Sequence, residues 1–268
     1  NKHLRSDNNN QEYTETNILT AFNSNGFSIG SEGDVNQSGL TYASWTFRKA
    51  PGFFDCVTYT GNATAGRTVA HNLGSVPGFI IVKCTSQGAG WWCYHRSLGN
   101  DYAIRMDSTA AKTNAANYWN DTTPTSTEFT LGDYGDTNGS GKTFVAYIFA
   151  HDDQSFGTDS DESIIKCGSY TGSSSGVNIN LGFEPQWVMV KRSDGTGSWY
   201  IMDTMRGFTA SNDPVTLKAD SADAEGGLAK YRITSTGFDW NSDSGDSGQE
   251  YIYMAIRRPH KPPTAGTD

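Results

Sequence analysis

The sequence predicts an all-β fold built from tandem β-sandwich modules, jelly-roll or lectin-like, preceded by a partial module. Three observations carry that expectation. The stretch "GFIIVKCTSQGAGWWCYHR" at 78–96 returns later as "QWVMVKRSDGTGSWYIMDT" at 186–204. Gly, Ser, Thr, Asn and aromatic residues abound where helix formers are sparse, a composition that suits short strands joined by tight turns. Turn signals recur about every 8 to 12 residues, the spacing of sheets packed face to face.

The elements follow in order. Residues 1–52 hold the signature "DVNQSGLTYASWTF" at 34–47, which comes back as "DTNGSGKTFVAYIF" at 136–149 and "DSGDSGQEYIYMAI" at 243–256. Each of these predicts a turn feeding a closing strand. The first module spans 53–155 and opens with Tyr59-Thr60-Gly61, then Asn72-Leu73-Gly74, Pro77 and Ile81-Val82-Lys83. The second, 156–259, answers with Tyr170-Thr171-Gly172, Asn180-Leu181-Gly182, Pro185 and Met189-Val190-Lys191. The offset is nearly constant from Asn72/Asn180 to Phe129/Phe238, and a length difference in the first turn is what a surface hairpin tolerates. "FIIVK" and "WVMVK" are apolar, partly β-branched runs bounded by Pro and by Gly or Ser, the pattern of a buried strand. "QGAG" and "SDGTG" join each to a Trp-bearing strand as a β-hairpin. The least regular segment, 107–119, reads as a loop with a short strand. Residues 260–268 read as a Pro-rich linker to further chain.

Three closing signatures stand against two opening ones. Residues 1–52 therefore read as the C-terminal half of a preceding module whose first strands lie before Asn1.

Charge and cysteines narrow the function classes. Twenty Lys and Arg against 29 Asp and Glu give a net charge of −9, which argues against a nucleic-acid surface. No apolar run reaches the roughly 18 residues of a membrane span, so membrane insertion is not expected. Cys56, Cys84, Cys93 and Cys167 show no C-x-x-C spacing. Cys56 and Cys167 occupy one equivalent place and read as small buried hydrophobes from a chain folded in a cell's cytoplasm.

Candidate chemistry is sparse. The turns carrying Asp34 and Asn36, Asp136 and Asn138, and Asp243 resemble the front half of a calcium loop. They lack the Glu of position twelve, where Trp45, Tyr147 and Met254 stand, and the same residues make an ordinary turn. No cofactor is expected, with calcium as the alternative. His71 and His95 are not echoed in the second module, where Ile179 and Asp203 stand, and no nucleophile elbow or zinc motif gives either a partner. No catalytic residue is assigned. Trp91, Trp92, Tyr94, Tyr118, Trp119, Trp199 and Tyr200 form a candidate platform for stacking sugar rings. Strand alternation sends Trp91 and Trp92 to opposite faces, one expected in the core and the other available for binding.

The string "WTFRKAPGFFDCVTYTGN … HNLGSVPGFIIVK … WWCYHRSLGN … YWNDTTPTSTEFTLG … GKTFVAYIFAHD" resembles tandem modules of tail-fibre and other virion structural proteins of tailed phages, particularly marine phages that infect cyanobacteria. The resemblance covers nearly the whole chain and carries over no catalytic position. It implies a non-enzymatic virion protein, a homo-oligomer on the particle exterior with other virion proteins as partners and a host cell-surface glycan as a possible target. The alternatives are a lectin-like adhesin and a polysaccharide depolymerase.

Overall fold

The computed structural model describes residues 1–157, 159–210, 215–227, 230–241 and 246–259. The N-terminal part contributes β1 (Lys2–His3), β2 (Tyr13–Thr14), β3 (Leu19–Asn23), β4 (Gly26–Ile29) and the one-turn helix α1 (Gly33–Asn36). The first module adds β5 (Phe54–Thr60), β6 (Arg67–Ala70), β7 (Pro77–Cys84), β8 (Trp91–His95), β9 (Tyr102–Arg105), β10 (Thr113–Asn114) and β11 (Glu128–Leu131), then the helical turn α2 (Gly135–Asn138) and β12 (Thr143–Ala150). The second adds β13 (Ile165–Thr171), β14 (Val177–Asn180), β15 (Pro185–Arg192), β16 (Trp199–Asp203), β17 (Val215–Lys218), β18 (Gly226–Gly227), β19 (Tyr231–Thr234), β20 (Gly237–Trp240) and β21 (Glu250–Arg257), with a 3-10 turn at Thr204–Arg206.

The two modules share one topology. The large antiparallel sheet of the first runs β10-β9-β8-β7-β12-β5, and that of the second runs β18-β17-β16-β15-β21-β13. Each order is the other's counterpart, strand for strand. A small sheet closes each module, β11-β6 in the first and β14-β20-β19 in the second. The hairpin repeat holds in register, since Lys83 faces Trp91 and Lys191 faces Trp199. Pro77 and Pro185 both begin their strands, a position that asks no donor of the ladder.

The apolar runs are buried on both faces, which is why they do not alternate with polar residues. On β15 and β21, Trp187, Met189, Ile252, Met254 and Ile256 join one large core cluster shared with the first module. The alternate residues Val188, Val190, Tyr251 and Tyr253 belong to a second cluster confined to the second module. Each large sheet thus turns one face to its own small sheet and the other toward the neighbouring module. Phe79 lies 5.9 Å from Trp199 across that boundary.

Two glycine motifs have local causes. A Cβ on Gly61 would collide with the carbonyl of Gly139, and one on Gly172 with that of Asp246. Both glycines donate backbone bonds of 2.8 Å to the loop ahead of the closing strand, to Lys142 and Gln249. Gly74 and Gly182 sit at φ of 73° and 79°, the left-handed region where a side chain is strained. The preceding tyrosines stack on the closing strands, Tyr59 on Phe144 at 5.1 Å and Tyr170 on Tyr251 at 5.0 Å.

The N-terminal part follows the same plan with fewer strands. The β1–β2 pairing of Lys2 with Thr14 and His3 with Tyr13 matches that of Tyr102 with Asn114 and Ala103 with Thr113. The expected closing strand at 41–48 does not form; the segment carries no ladder pairing. Strands β12 and β21 are each flanked by two neighbours, and 41–48 has neither, so its backbone has nothing to pair with. Its side chains instead enter the junction. Phe47 packs edge-on to Phe149 at 5.5 Å and to Trp187 at 6.2 Å.

Candidate functional site: the joint between modules

The repeated Lys–Trp pair forms a polar arrangement that is built twice. At the first joint, Trp91 Nε1 donates to the carbonyls of Arg5 (3.0 Å) and Asn8 (3.1 Å). Lys83 Nζ donates to Asn9 O at 3.2 Å and Ala89 O at 2.7 Å. Two backbone bonds complete it, Ala89 N to Asn9 O at 2.8 Å and Glu12 N to Thr85 O at 3.1 Å. At the second joint, Trp199 Nε1 donates to Arg105 O at 2.8 Å. Lys191 Nζ reaches Thr109 O at 3.0 Å and Gly197 O at 2.5 Å. Gly197 N donates to Thr109 O at 2.9 Å, and Lys112 N to Ser193 O at 2.9 Å. Each bond of the second joint has its counterpart in the first, which adds one from Trp91 Nε1 to Asn8 O. In each, a turn from the preceding part of the chain lies on the Lys–Trp hairpin of the next.

Both lysines are fully buried, a position almost never occupied without compensating partners. Their ammonium groups find them in main-chain carbonyls. Burial lowers the pKa of Lys83 and brings Lys191 down to about 8, which leaves Lys191 protonated at neutral pH. Inside each module a carboxylate fixes the start of the Trp strand: Trp91 N donates to Asp107 Oδ1 at 3.1 Å, and Trp199 N to Asp220 Oδ1 at 2.8 Å.

His95 and the residue that replaces it, Asp203, also sit at boundaries. His95 Nδ1 accepts from Ser97 N at 3.2 Å, so Nε2 carries the proton and donates to Tyr253 O of the second module at 3.1 Å. Burial pulls its pKa to about 4. At the counterpart position Asp203 accepts from Trp45 Nε1 at 3.3 Å, while Arg206 lies over the Trp45 ring at 5.3 Å and bonds Asp203 Oδ2 at 2.7 Å. His151, which the sequence reading passed over, accepts from Cys167 N at 3.1 Å, and burial lowers it to about 4 as well. His71 Nδ1 accepts from Leu73 N at 3.2 Å, capping the Asn-Leu-Gly turn.

The aromatic platform is corrected by burial. Trp91, Trp92, Tyr94, Tyr118, Trp119 and Trp199 are all buried, so they offer no open ring face to a sugar. Both Trp91 and Trp92 are internal because both faces of the sheet are covered. Trp91 lies under the N-terminal turn, and Trp92 packs on Tyr118 at 4.4 Å and Tyr134 at 5.6 Å. Tyr200 alone is half-exposed. It borders a cavity of about 160 Å³ with Arg192, Lys230, Asp246, Gln249 and Tyr251.

The calcium expectation meets donors already committed. Asp34 pairs with Arg5, and the Asn36 side-chain amide donates to Gly30 O. Asp136 accepts from Gly90 N and Trp92 Nε1, both at 3.3 Å. Asn138 accepts from Asn62 N and donates to the carbonyls of Thr64 and Gly132. Among the described residues no three carboxylate, histidine or cysteine side chains gather as metal ligands; Asp243 lies outside the described residues. All four cysteines are free thiols. Among the described residues no helix is long and apolar enough to cross a membrane.

Residues 1–259 match the family described as a domain of unknown function, DUF7483, and the chain belongs to that family. No curated protein and no solved structure matches it.

Proposed function

We propose that the chain is a non-enzymatic structural block of a phage virion, part of a tail fibre or similar appendage that takes part in assembly and host attachment. The observation that carries this reading is the joint itself. One set of hydrogen bonds, with a buried lysine and a buried tryptophan at its centre, is spent twice on holding one part of the chain against the next. A catalytic constellation is needed once, whereas a joint is repeated wherever modules meet. The resemblance to tail-fibre modules supplies the setting: the particle exterior, other virion proteins as partners and a homo-oligomeric assembly. No nucleic acid and no membrane insertion belong to this reading.

The test is to locate the chain in purified particles by cryo-electron microscopy and to incubate it with host polysaccharide. Density for the modules in an appendage, with no reducing ends released, is the expected result. Reducing-end release, or absence of the chain from particles, contradicts it.

A second reading, a lectin-like adhesin, is favoured by the cavity beside Tyr200. Its aromatic wall and charged rim suit a sugar's C–H face and hydroxyls. Binding on a glycan array that disappears in Tyr200→Ala would support it, and an array with no signal would remove it.

A further inference from the structure

The N-terminal part leaves exposed what both full modules bury. Phe27, Ile29 and Tyr42 are 39%, 41% and 49% exposed. Their counterparts in the first module, Phe129, Leu131 and Phe144, are 1%, 0% and 1% exposed, and those in the second, Phe238, Trp240 and Tyr251, are 0%, 1% and 8% exposed. What covers these positions is the same in both modules. Phe129 pairs with Val69 of β6 and Phe238 with Ile179 of β14; the tyrosine of the Tyr-Thr-Gly motif stacks on Phe144 and Tyr251.

A second, independent feature points to the same missing piece. Among the described residues there are three turns of the kind that dock on a Lys–Trp hairpin, at 5–9, 105–109 and 218–222, and two hairpins to receive them. Met106 N and Ala219 N make the same bond, to Trp91 O and Trp199 O, which fixes the third turn as the counterpart of the second. Ala222 stands where Asn9 and Thr109 accept from lysine, and Glu225 where Glu12 and Lys112 donate. Both are exposed.

The three parts already touch pairwise. The N-terminal part meets the first module through Trp91 and Lys83, the first meets the second through Trp199 and Lys191, and the second returns to the N-terminal part through Asp203 and Trp45. That last contact occupies the place of His95 on Tyr253 O, one step further round. We propose that the N-terminal part accepts, as its cover, a separate opening half of this module's own sequence type. That half covers Phe27, Ile29 and Tyr42, and its Lys–Trp hairpin receives the turn at 218–222, closing a ring of three modules. The inference rests on the repeat and is independent of the virion setting.

The experiment fuses a copy of residues 53–100 directly ahead of Asn1 in the full chain, because position 101 is the counterpart of position 1. Hydrogen exchange is then followed in both chains. In the fused monomer, amides at 26–29, at 42–47 and at Glu225 are expected to slow by about tenfold or more, the effect of moving from an open edge into a paired ladder. Placing Lys83→Met and Trp91→Ala in the added copy alone should remove the slowing at Glu225 and keep it at 26–29. A folded fused chain whose amides exchange as before overturns the proposal. So does an unfused chain that dimerises with those amides already protected, because a second copy is then the cover. Should the fused chain precipitate, Phe27→Ser and Phe129→Ser are compared in the unfused chain. Loss at Phe129→Ser alone supports an uncovered face, and equal loss at both overturns it.

Discussion

The strand that carries Trp91 and Trp92 and the strand that carries Trp199 and Tyr200 are the same strand built for two purposes. Toward the neighbouring part of the chain they do the same thing: each tryptophan donates its indole N–H to a carbonyl of the preceding turn, and each lysine opposite holds one carbonyl of that turn and one of its own hairpin. Toward their own small sheets they diverge. In the first module, Trp92, Tyr118 and Tyr134 fill the space, with Arg105 over the Trp92 ring at 5.7 Å. In the second, Tyr200 stands in the place of Trp92. Lys230 stands in the place of Tyr118, because Asn241 N bonds Lys230 O as Gly132 N bonds Tyr118 O. An ion pair of Lys230 with Asp246 then rims an open cavity. The joint face is constrained because its acceptors are main-chain groups fixed by two modules at once. The inner face answers to one module's loops and is free to change.

The comparison predicts where substitutions hurt. The largest effect is expected at the joint: Trp91→Ala and Trp199→Ala should each cost about 3–5 kcal/mol, as removal of a buried large ring does. A much smaller loss at one of the two, measured by denaturant unfolding, would mean that the joints are not the same device.

Acid should act next. His95 has a folded pKa of about 4 against an ordinary value of 6.5. The unfolded chain therefore binds the extra proton first, and stability present above pH 6.5 is lost as pH falls toward 4. The depression corresponds to at most about 3 kcal/mol for this buried ring, and His151 pulls in the same direction. His95→Gln should be less stable at pH 7 yet show a shallower fall between pH 6.5 and 4. An unchanged slope would take His95 out of the account.

Lys191→Met keeps the stem's packing and strands the carbonyl of Gly197, while Thr109 O keeps its bond from Gly197 N. A loss of about 1–3 kcal/mol is expected from the unsatisfied acceptor, with the same result for Lys83→Met, which strands Ala89 O. At the permissive end, Tyr200→Ala should cost under about 1 kcal/mol, as changes away from packed features do, whereas Trp92→Ala should cost several times more. Equal losses would erase the distinction between the open and the filled inner face.

Much of this was legible in the sequence. Tandem repetition of Tyr-Thr-Gly, Asn-Leu-Gly and the Lys…Trp hairpin exposed the all-β plan and the repeated hairpin, because those residues answer to local backbone demands: a glycine where two loops touch, a left-handed turn, a lysine opposite a tryptophan. The joint was not legible. Its acceptors are the carbonyls of Arg5, Asn8, Asn9, Arg105 and Thr109, and a carbonyl leaves no trace in residue identity. The aromatic platform misled for a related reason. Alternation along β8 separates Trp91 from Trp92 correctly, but only tertiary packing covers the second face. The strand expected at 41–48 failed because propensity cannot supply a missing neighbour.

The central claim is that the modules are joined through a shared core and paired joints, and native-state hydrogen exchange with rising denaturant tests it most directly. Amides of β7 and β15 should merge into one unfolding isotherm, and Trp199→Ala should lower the protection of both strands together. Two separate isotherms, with β7 untouched by Trp199→Ala, would contradict it and leave two independent beads on one chain.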